Sequence, residues 1–342
     1  HILARHEGGA GFMADGYARA SGKPGVIYII TGPGVTNALT PLGQAYSDSV
    51  PVLAVASCLD TADLDQGRGR LHDMINQLGA AQSVVELAGT GLDGPSTFEL
   101  VDRALAGFAT NRPRPALVQV PINVLGALAA EAPPPVAHPA KPTASDADIA
   151  TVAQLVENAR KPLLILGGGA RNAAAPLREL VARQNLAVLP SYAGRGIIPD
   201  DHPNSFGAMV YGAPSAALIG SADLVIAIGT ELGETDFGRA TLGHRAPLVR
   251  VDLDTRALAD RHRASHPIRA DANSFATQLN AALPNTGSTD WSTSAIARRR
   301  KAGRVAAETY PGLQPVIDAL RKALPETATI FSDMTQIAYQ AK

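Results

Sequence analysis

Short, almost wholly apolar runs alternate with stretches of helical period along this chain, and that alternation restricts it to open, mostly parallel sheets flanked by helices. Gly25-Val26-Ile27-Tyr28-Ile29-Ile30-Thr31 and Pro51-Val52-Leu53-Ala54-Val55-Ala56-Ser57 lack polar alternation. This is the pattern of strands covered on both faces. Ahead of the first run, Glu7 to Ser21 reads as a helix, with Ala10, Ala14 and Ala18 spaced by four and Gly22 as the stop. Between the runs, a Gly32-Pro33-Gly34 turn feeds a second helix that Thr36 or Asn37 is expected to cap and that runs to about Asp48. Such a β-α-β order demands a right-handed crossover and places ligands beyond the carboxyl ends of the strands.

The pattern continues through a polar stretch, Asp60 to Gln77, that is long for a simple connection and therefore a candidate site border. A helix over Pro95–Thr110 and a strand over Ala116–Val120 close a first domain, residues 1–125. Residues 126–147, Ala- and Pro-rich around Pro133-Pro134-Pro135, read as a linker. A second α/β domain, residues 148–285, has expected strands at 162–166, 187–189, 224–228 and 247–251 and a last helix near Ser274–Leu283. Residues 286–342 are expected to hold a linker, a solvated face at Arg298-Arg299-Arg300-Lys301, a helix over Gln314–Leu324 and a final strand at Thr329-Ile330-Phe331. His1-Ile2-Leu3-Ala4 reads as the tail of a strand, so the chain is expected to be a piece of a longer polypeptide. The fold class is thus α/β: two doubly wound, mostly parallel-sheet domains plus the start of a third.

Bulk properties narrow the function classes. A formal net charge of −1 gives no electrostatic case for nucleic acid or an anionic membrane. One cysteine, Cys58, precludes an internal disulfide or a thiolate cluster. No apolar run approaches the roughly 20 residues of a membrane span. A cytoplasmic protein is the expectation.

Four features could carry chemistry, and each has a plainer explanation. Glu7 could be only a carboxylate favoured by a helix N-terminus, although Gly8, Gly9 and Ala10 leave room beside it. The Gly32-Pro33-Gly34 turn matches no nucleotide fingerprint and could be only a tight connection. Gly167-Gly168-Gly169-Ala170-Arg171 could admit a pyrophosphate, but a lone glycine cluster is a weak signal. His72, in the polar stretch, could be merely solvated.

Taken together, Arg5-His6-Glu7, Ala14-Asp15-Gly16-Tyr17-Ala18-Arg19, Thr31-Gly32-Pro33-Gly34-x-Thr36-Asn37 and Ala45-Tyr46-x-Asp48-Ser49-x-Pro51 closely resemble the thiamine diphosphate-dependent acetolactate synthase and 2-oxo-acid decarboxylase family. The likeness continues in Gly196-Ile197-Ile198-Pro199-Asp200-Asp201-His202-Pro203, Ala222-Asp223-Leu224 and Val251-Asp252-Leu253-Asp254. The resemblance implies a pyrimidine-binding domain, a Rossmann-like central domain and the start of a diphosphate-binding domain. It also implies a homodimer or homotetramer with the site at the subunit interface. Thiamine diphosphate is the implied cofactor, with Mg2+ held by the third domain. By the same resemblance Glu7 hydrogen-bonds the aminopyrimidine ring and, with its pKa raised by burial, favours the tautomer that deprotonates the thiazolium. Pro33, Gly34, Asn37 and Gln336 fall at cofactor positions, and Gln44 and His72 at substrate positions. FAD in the central domain is left open, with Gly168, Gly169 and Arg171 as its candidate residues.

Two departures bear on the substrate. Leu71-His72 stands where acetolactate synthases carry phenylalanine–glutamine, and Asp333-Met334-Thr335-Gln336 replaces an aspartate–x–glycine–glutamine run. The expected reaction is decarboxylation of a 2-oxo acid, with carboligation open. The alternatives are a decarboxylase for a longer, guanidino-oxopentanoate-type substrate and a non-catalytic binding or oligomerisation module.

Overall fold

Helix α1 (Glu7–Ser21) leads through the left-handed Gly22 into β1 (Gly25–Ile29), and the turn after it opens α2 (Pro33–Asp48). There follow β2 (Val52–Cys58), α3 (Gln77–Gln82), β3 (Leu87–Thr90), α4 (Gly94–Thr110), β4 (Ala116–Pro121) and α5 (Ile122–Leu125). The computed structural model describes residues 1–128, 131–134, 136–207, 213–306, 312–333 and 335–341, which divide into two units, His1–Lys141 and Pro142–Lys342. Pro135 and Met334 lie outside the described residues.

In the first unit the four strands are parallel in the order β1-β2-β4-β3. Small residues let α1 and α2 lie close on one face: Ala14, Ala18, Ala38, Leu42 and Ala45 pack with Ile27, Ile29, Ala54 and Ala56. A Cβ on Gly11 would stand 2.3 Å from the Pro41 ring, and one on Gly25 would stand 2.2 Å from the Ala14 carbonyl oxygen. Pro41 also has no N–H to give to the Asn37 carbonyl, one turn back in α2. The other face is covered by α4 over Leu53, Ala116, Val118 and Val120.

The second unit holds α6 (Asp146–Asn158), capped by Ser145, then β5 (Pro162–Leu166), a 3-10 turn (Gly168–Ala173), α7 (Ala174–Gln184) and β6 (Ala187–Pro190). Next come α8 (Ala213–Ile219), β7 (Leu224–Ile228), α9 (Glu234–Phe237), β8 (Leu248–Asp252), α10 (Thr255–Leu258), β9 (His266–Arg269) and α11 (Ala272–Ala282). Helices α12 (Thr293–Ala306), α13 (Gln314–Ala323) and α14 (Gln336–Gln340) follow. The parallel sheet runs β6-β5-β7-β8-β9, with one core on each face. The two all-parallel sheets with flanking helices establish the expected α/β class.

Several expectations need correction. Helix α2 begins at Pro33, not after Thr36 or Asn37, because Gly32 takes the cap position and proline suits the first helical residue. Thr36 Oγ1 donates to the Pro33 carbonyl at 3.1 Å, and the Asn37 side chain is free for other work. Residues 329–331 and 1–4 are not strands: no described strand pairs with them, and Phe331 and Leu3 are more than nine-tenths exposed. Arg299 and Arg300 of α12 are more than a solvated face. Arg299 donates to Ser221 Oγ at 3.1 Å and stacks on Trp291, and Arg300 donates to the Asp200 carbonyl at 3.0 Å.

At the point where the second sheet reverses its order, Gly167 N–H donates to the Ile228 carbonyl at 2.9 Å, and a Cβ there would lie 2.1 Å from the Gly229 oxygen. Backbone cannot yield as a side-chain tip can. Gly167→Ala is therefore expected to cost about 1–3 kcal/mol, as overpacking does. Gly16→Ala, in α1 with nothing near its Cβ, should instead stabilise by about 0.5–1 kcal/mol. Urea unfolding midpoints that fail to move in these opposite directions would contradict the packing account.

Candidate active site

The N-termini of α1 and α2 meet beside the carboxyl end of β1. His6 caps α1, its Nδ1 accepting the Gly8 N–H at 3.0 Å, which makes Glu7 the first helical residue. Asn37, in the second turn of α2, donates from Nδ2 to Glu7 Oε2 at 3.1 Å. This approach needs small neighbours. A Cβ on Gly8 would stand 3.3 Å from the Asn37 carbonyl oxygen, and one on Gly34 would stand 2.7 Å from Ile30 and 3.5 Å from Glu7 Oε1. One carboxylate oxygen is thus held by the amide, while the other faces the bare Gly34 backbone.

Hydrogen bonding sets the charge state. The Asn37 amide, and then the backbone N–H of Glu7 itself, hold the carboxyl below the ordinary glutamate pKa, with burial a weaker opposing effect. The raised pKa expected from burial is not a property of this chain alone, because Glu7 is only partly covered.

Above the turn, Gly32 has φ 68° and ψ −109°, and His72 is itself left-handed at φ 63°. A Cβ on Gly32 would meet the His72 carbonyl oxygen at 2.5 Å and its Cβ at 2.8 Å, so the 60–76 loop returns directly over the turn. Glu7, Pro33, Gly34, Asn37 and His72 are therefore brought together. Gln44 is not. It lies about 10 Å further along α2, where its Nε2 donates to Asp48 Oδ2 at 2.8 Å. Arg19 clamps the same carboxylate at 2.7 Å and Asp15 at 2.6 Å. Gln336 begins α14 in the second unit.

Sequence reasoning missed a buried polar chain beneath the turn. Gly32 N–H donates to Gln77 Oε1 at 2.7 Å, Gln77 Nε2 donates to Gln119 Oε1 at 3.0 Å, and Gln119 Nε2 donates to Thr90 Oγ1 at 2.9 Å. The available signal was Gln119 itself, a lone amide inside the apolar run of β4.

The central-domain turn is accounted for by packing. Besides Gly167, a Cβ on Gly168 would stand 2.9 Å from the Ala193 Cβ and one on Gly169 3.0 Å from the Gly229 Cα, while Arg171 Nε donates to the Ala193 carbonyl at 3.0 Å. Cys58 is buried and its thiol is pushed up to about 12, chiefly by desolvation, so it is no nucleophile. No group of three or more His, Cys, Asp or Glu side chains able to hold a metal occurs among the described residues.

Residues 1–80 match the N-terminal TPP binding domain of thiamine pyrophosphate enzymes, and residues 149–279 match their central domain. The chain belongs to the thiamine pyrophosphate (thiamine diphosphate) enzyme family, as the resemblance implied. It is 40% identical over 350 residues to the probable 2-ketoarginine decarboxylase AruI of Pseudomonas aeruginosa, covering 99% of this chain and 61% of that protein. It is 32% identical to the acetolactate synthase large subunit IlvB1 of Mycobacterium tuberculosis, covering 83% of this chain and 47% of that one. For the acetolactate synthase isozyme 1 large subunit of Escherichia coli the identity is 30%, over 82% and 50%. The chain thus spans about half to three-fifths of the length of these relatives.

The Glu7–Asn37 bond makes a direct prediction for the chain without cofactor. The Glu7 carboxyl, followed by carbon-detected NMR, should titrate below the ordinary glutamate range, and Asn37→Ala should move the midpoint upward. Because the folded pKa is depressed, this group stabilises the fold above the ordinary glutamate pKa, and that contribution fades as pH falls through the lowered value. An unshifted midpoint in Asn37→Ala would show that the amide is not the cause.

Proposed function

We propose that the full-length protein is a thiamine diphosphate-dependent enzyme that decarboxylates a 2-oxo acid. The observation that carries this reading is the Glu7–Asn37 pair at two adjoining helix N-termini, with a carboxylate oxygen over the bare Gly34 backbone. The residues fit the cofactor: Glu7 would hold its aminopyrimidine ring by a hydrogen bond, and Pro33, Gly34 and Asn37 would line the same side. When bound, thiamine diphosphate supplies the nucleophilic carbon and the electron sink that decarboxylation requires. Glu7 would share a proton between its free oxygen and the ring, and covering that acid raises its pKa toward the working range. Asn37 would keep the carboxylate turned to the ring, and Gln336 is proposed as a further cofactor-side residue supplied by a second copy of the chain. A diphosphate-binding domain would supply the ligands for Mg2+.

The covering surface is proposed to be a second copy of the chain, in a homodimer or homotetramer. In support, Phe12, Met13 and Tyr17 stand about half exposed on α1, the helix that Glu7 begins. No described helix is long and apolar enough to cross a membrane, and the cytoplasm is the proposed location. FAD has no part in the proposed chemistry, since packing already explains Gly168, Gly169 and Arg171.

For the substrate, a longer 2-oxo acid bearing a guanidino group is favoured over pyruvate. The likeness to a probable 2-ketoarginine decarboxylase runs over nearly the whole chain at higher identity than that to the acetolactate synthases. His72 is the proposed substrate-side residue, in place of the acetolactate synthase glutamine, and Gln44 a more distant one. The test is release of CO2 by the full-length protein with thiamine diphosphate and Mg2+, from 5-guanidino-2-oxopentanoate and from pyruvate, with aldehyde and acetolactate measured separately. The guanidino acid should be the better substrate and free aldehyde the product. Glu7→Gln should lower kcat at least about 100-fold, the scale of a lost acid–base group, without changing the fold. Near-normal turnover in Glu7→Gln would refute its assigned role.

A further inference from the structure

We infer that Gln77 is a positioning residue for the cofactor: its buried amide fixes the Gly32-Pro33-Gly34 backbone from which Gly34 and Asn37 face Glu7. The inference rests on the thiamine diphosphate reading and adds to it a residue outside the pocket.

Gln77 is 6% exposed and opens α3, with Asn76 as the cap before it. All of its amide groups are used. Oε1 accepts the Gly32 N–H at 2.7 Å, while Nε2 donates to the Ser57 carbonyl at 3.0 Å and to Gln119 Oε1 at 3.0 Å. The opposite orientation would set an NH2 against the Gly32 N–H and an oxygen against the Ser57 carbonyl, so one amide orientation is enforced. With Gln119 donating to Thr90, the bonds run head to tail from Gly32 across the carboxyl edge of β2, β4 and β3, an arrangement in which each bond strengthens the next.

The target of this chain is the residue with the most freedom to lose. Gly32 sits at φ 68° and ψ −109°, a conformation closed to other residue types, and a glycine peptide there could turn with little resistance. Gln77 pins its N–H from below, and the His72 backbone presses on it from above. The same residue ends the 60–76 loop that carries His72. One amide therefore sets both the cofactor-side turn and the return of the substrate-side loop. Apolar packing would serve a merely structural purpose at this position, but it could not orient the Gly32 peptide.

The experiment uses the full-length protein with Gln77→Met, which keeps the volume and removes the amide, and Gln119→Leu, which removes only the next bond. Backbone hydrogen exchange over residues 31–42 and thiamine diphosphate affinity by calorimetry with Mg2+ are the readouts. In Gln77→Met that segment should exchange at least about tenfold faster and cofactor affinity should fall about tenfold, the effect of one net hydrogen bond. The KM for substrate at saturating cofactor should hardly change. Gln119→Leu should shift both readouts in the same direction but less, and it carries the test should Gln77→Met not fold. Unchanged exchange over 31–42 in a folded variant, or faster exchange with unchanged cofactor affinity, overturns the inference. A wild-type protein that fails to bind thiamine diphosphate instead overturns the proposed function. Exchange over 31–42 then still decides whether Gln77 fixes the turn.

Discussion

Two helix N-termini meeting at one edge of a sheet are an electrostatic problem, and the Glu7 carboxylate is its solution. Each terminus carries partial positive charge from unpaired N–H groups. Set side by side, α1 and α2 would repel at their starts. Glu7 lies at the first residue of one helix and accepts a hydrogen bond from a residue in the second turn of the other, and its lowered pKa reflects that surrounding field of donors. The arrangement stands only because Gly8, Gly11 and Gly34 leave no side chain between the two helices. The candidate chemistry and the packing of the first unit thus depend on the same close approach.

The two units use similar sheets for different ends. In the second, the edge where the strand order reverses is closed by backbone: Gly167, Gly169 and Gly229 touch through positions that any Cβ would fill. In the first, the corresponding edge is lined by side chains, with Thr31 and Ser57 joined at 2.8 Å and the Gln77–Gln119 pair beside them. A sealed edge suits a domain that serves as scaffold, whereas a hydrogen-bonded edge holds a turn in place and leaves its outer surface open. The cost of burying those amides is met because the side-chain oxygen and nitrogen of both Gln77 and Gln119 are hydrogen-bonded.

How much of this was legible follows from which forces act locally. The strands at 162–166 and 224–228 and the helix Glu7–Ser21 were readable from apolar pattern and stop signals. Strand β3, Leu87-Ala88-Gly89-Thr90, was not, since it is an edge strand whose residues are only half-buried. Strand β9 contains Pro267, which only an edge position tolerates, so its sequence argued against the strand it forms. At the site, Glu7, Gly34, Asn37 and His72 were marked by resemblance. Gln77 could not be, because its partners lie 45 and 42 residues away, and no local spacing encodes a contact of that range. The lowered pKa of Glu7 in the single chain was not legible for a related reason. It depends on what covers the acid, and the sequence of one chain shows its donors more readily than its covering.

The 60–76 loop shows how the family pattern can change at one place without disturbing the rest. Asp63, almost fully buried, takes Arg68 at 3.3 Å and Arg70 at 2.7 Å, which holds the loop on one side of Leu71-His72. Gln77 holds it on the other. Between these anchors Leu71 is 81% exposed and His72 rests its backbone, not its ring, on Gly32. Side chains at these two positions therefore contribute little to the fold, while the loop path that delivers them is fixed by bonds they do not make. A change of residue types at these two positions therefore leaves the Glu7–Asn37 pair and its turn as they are.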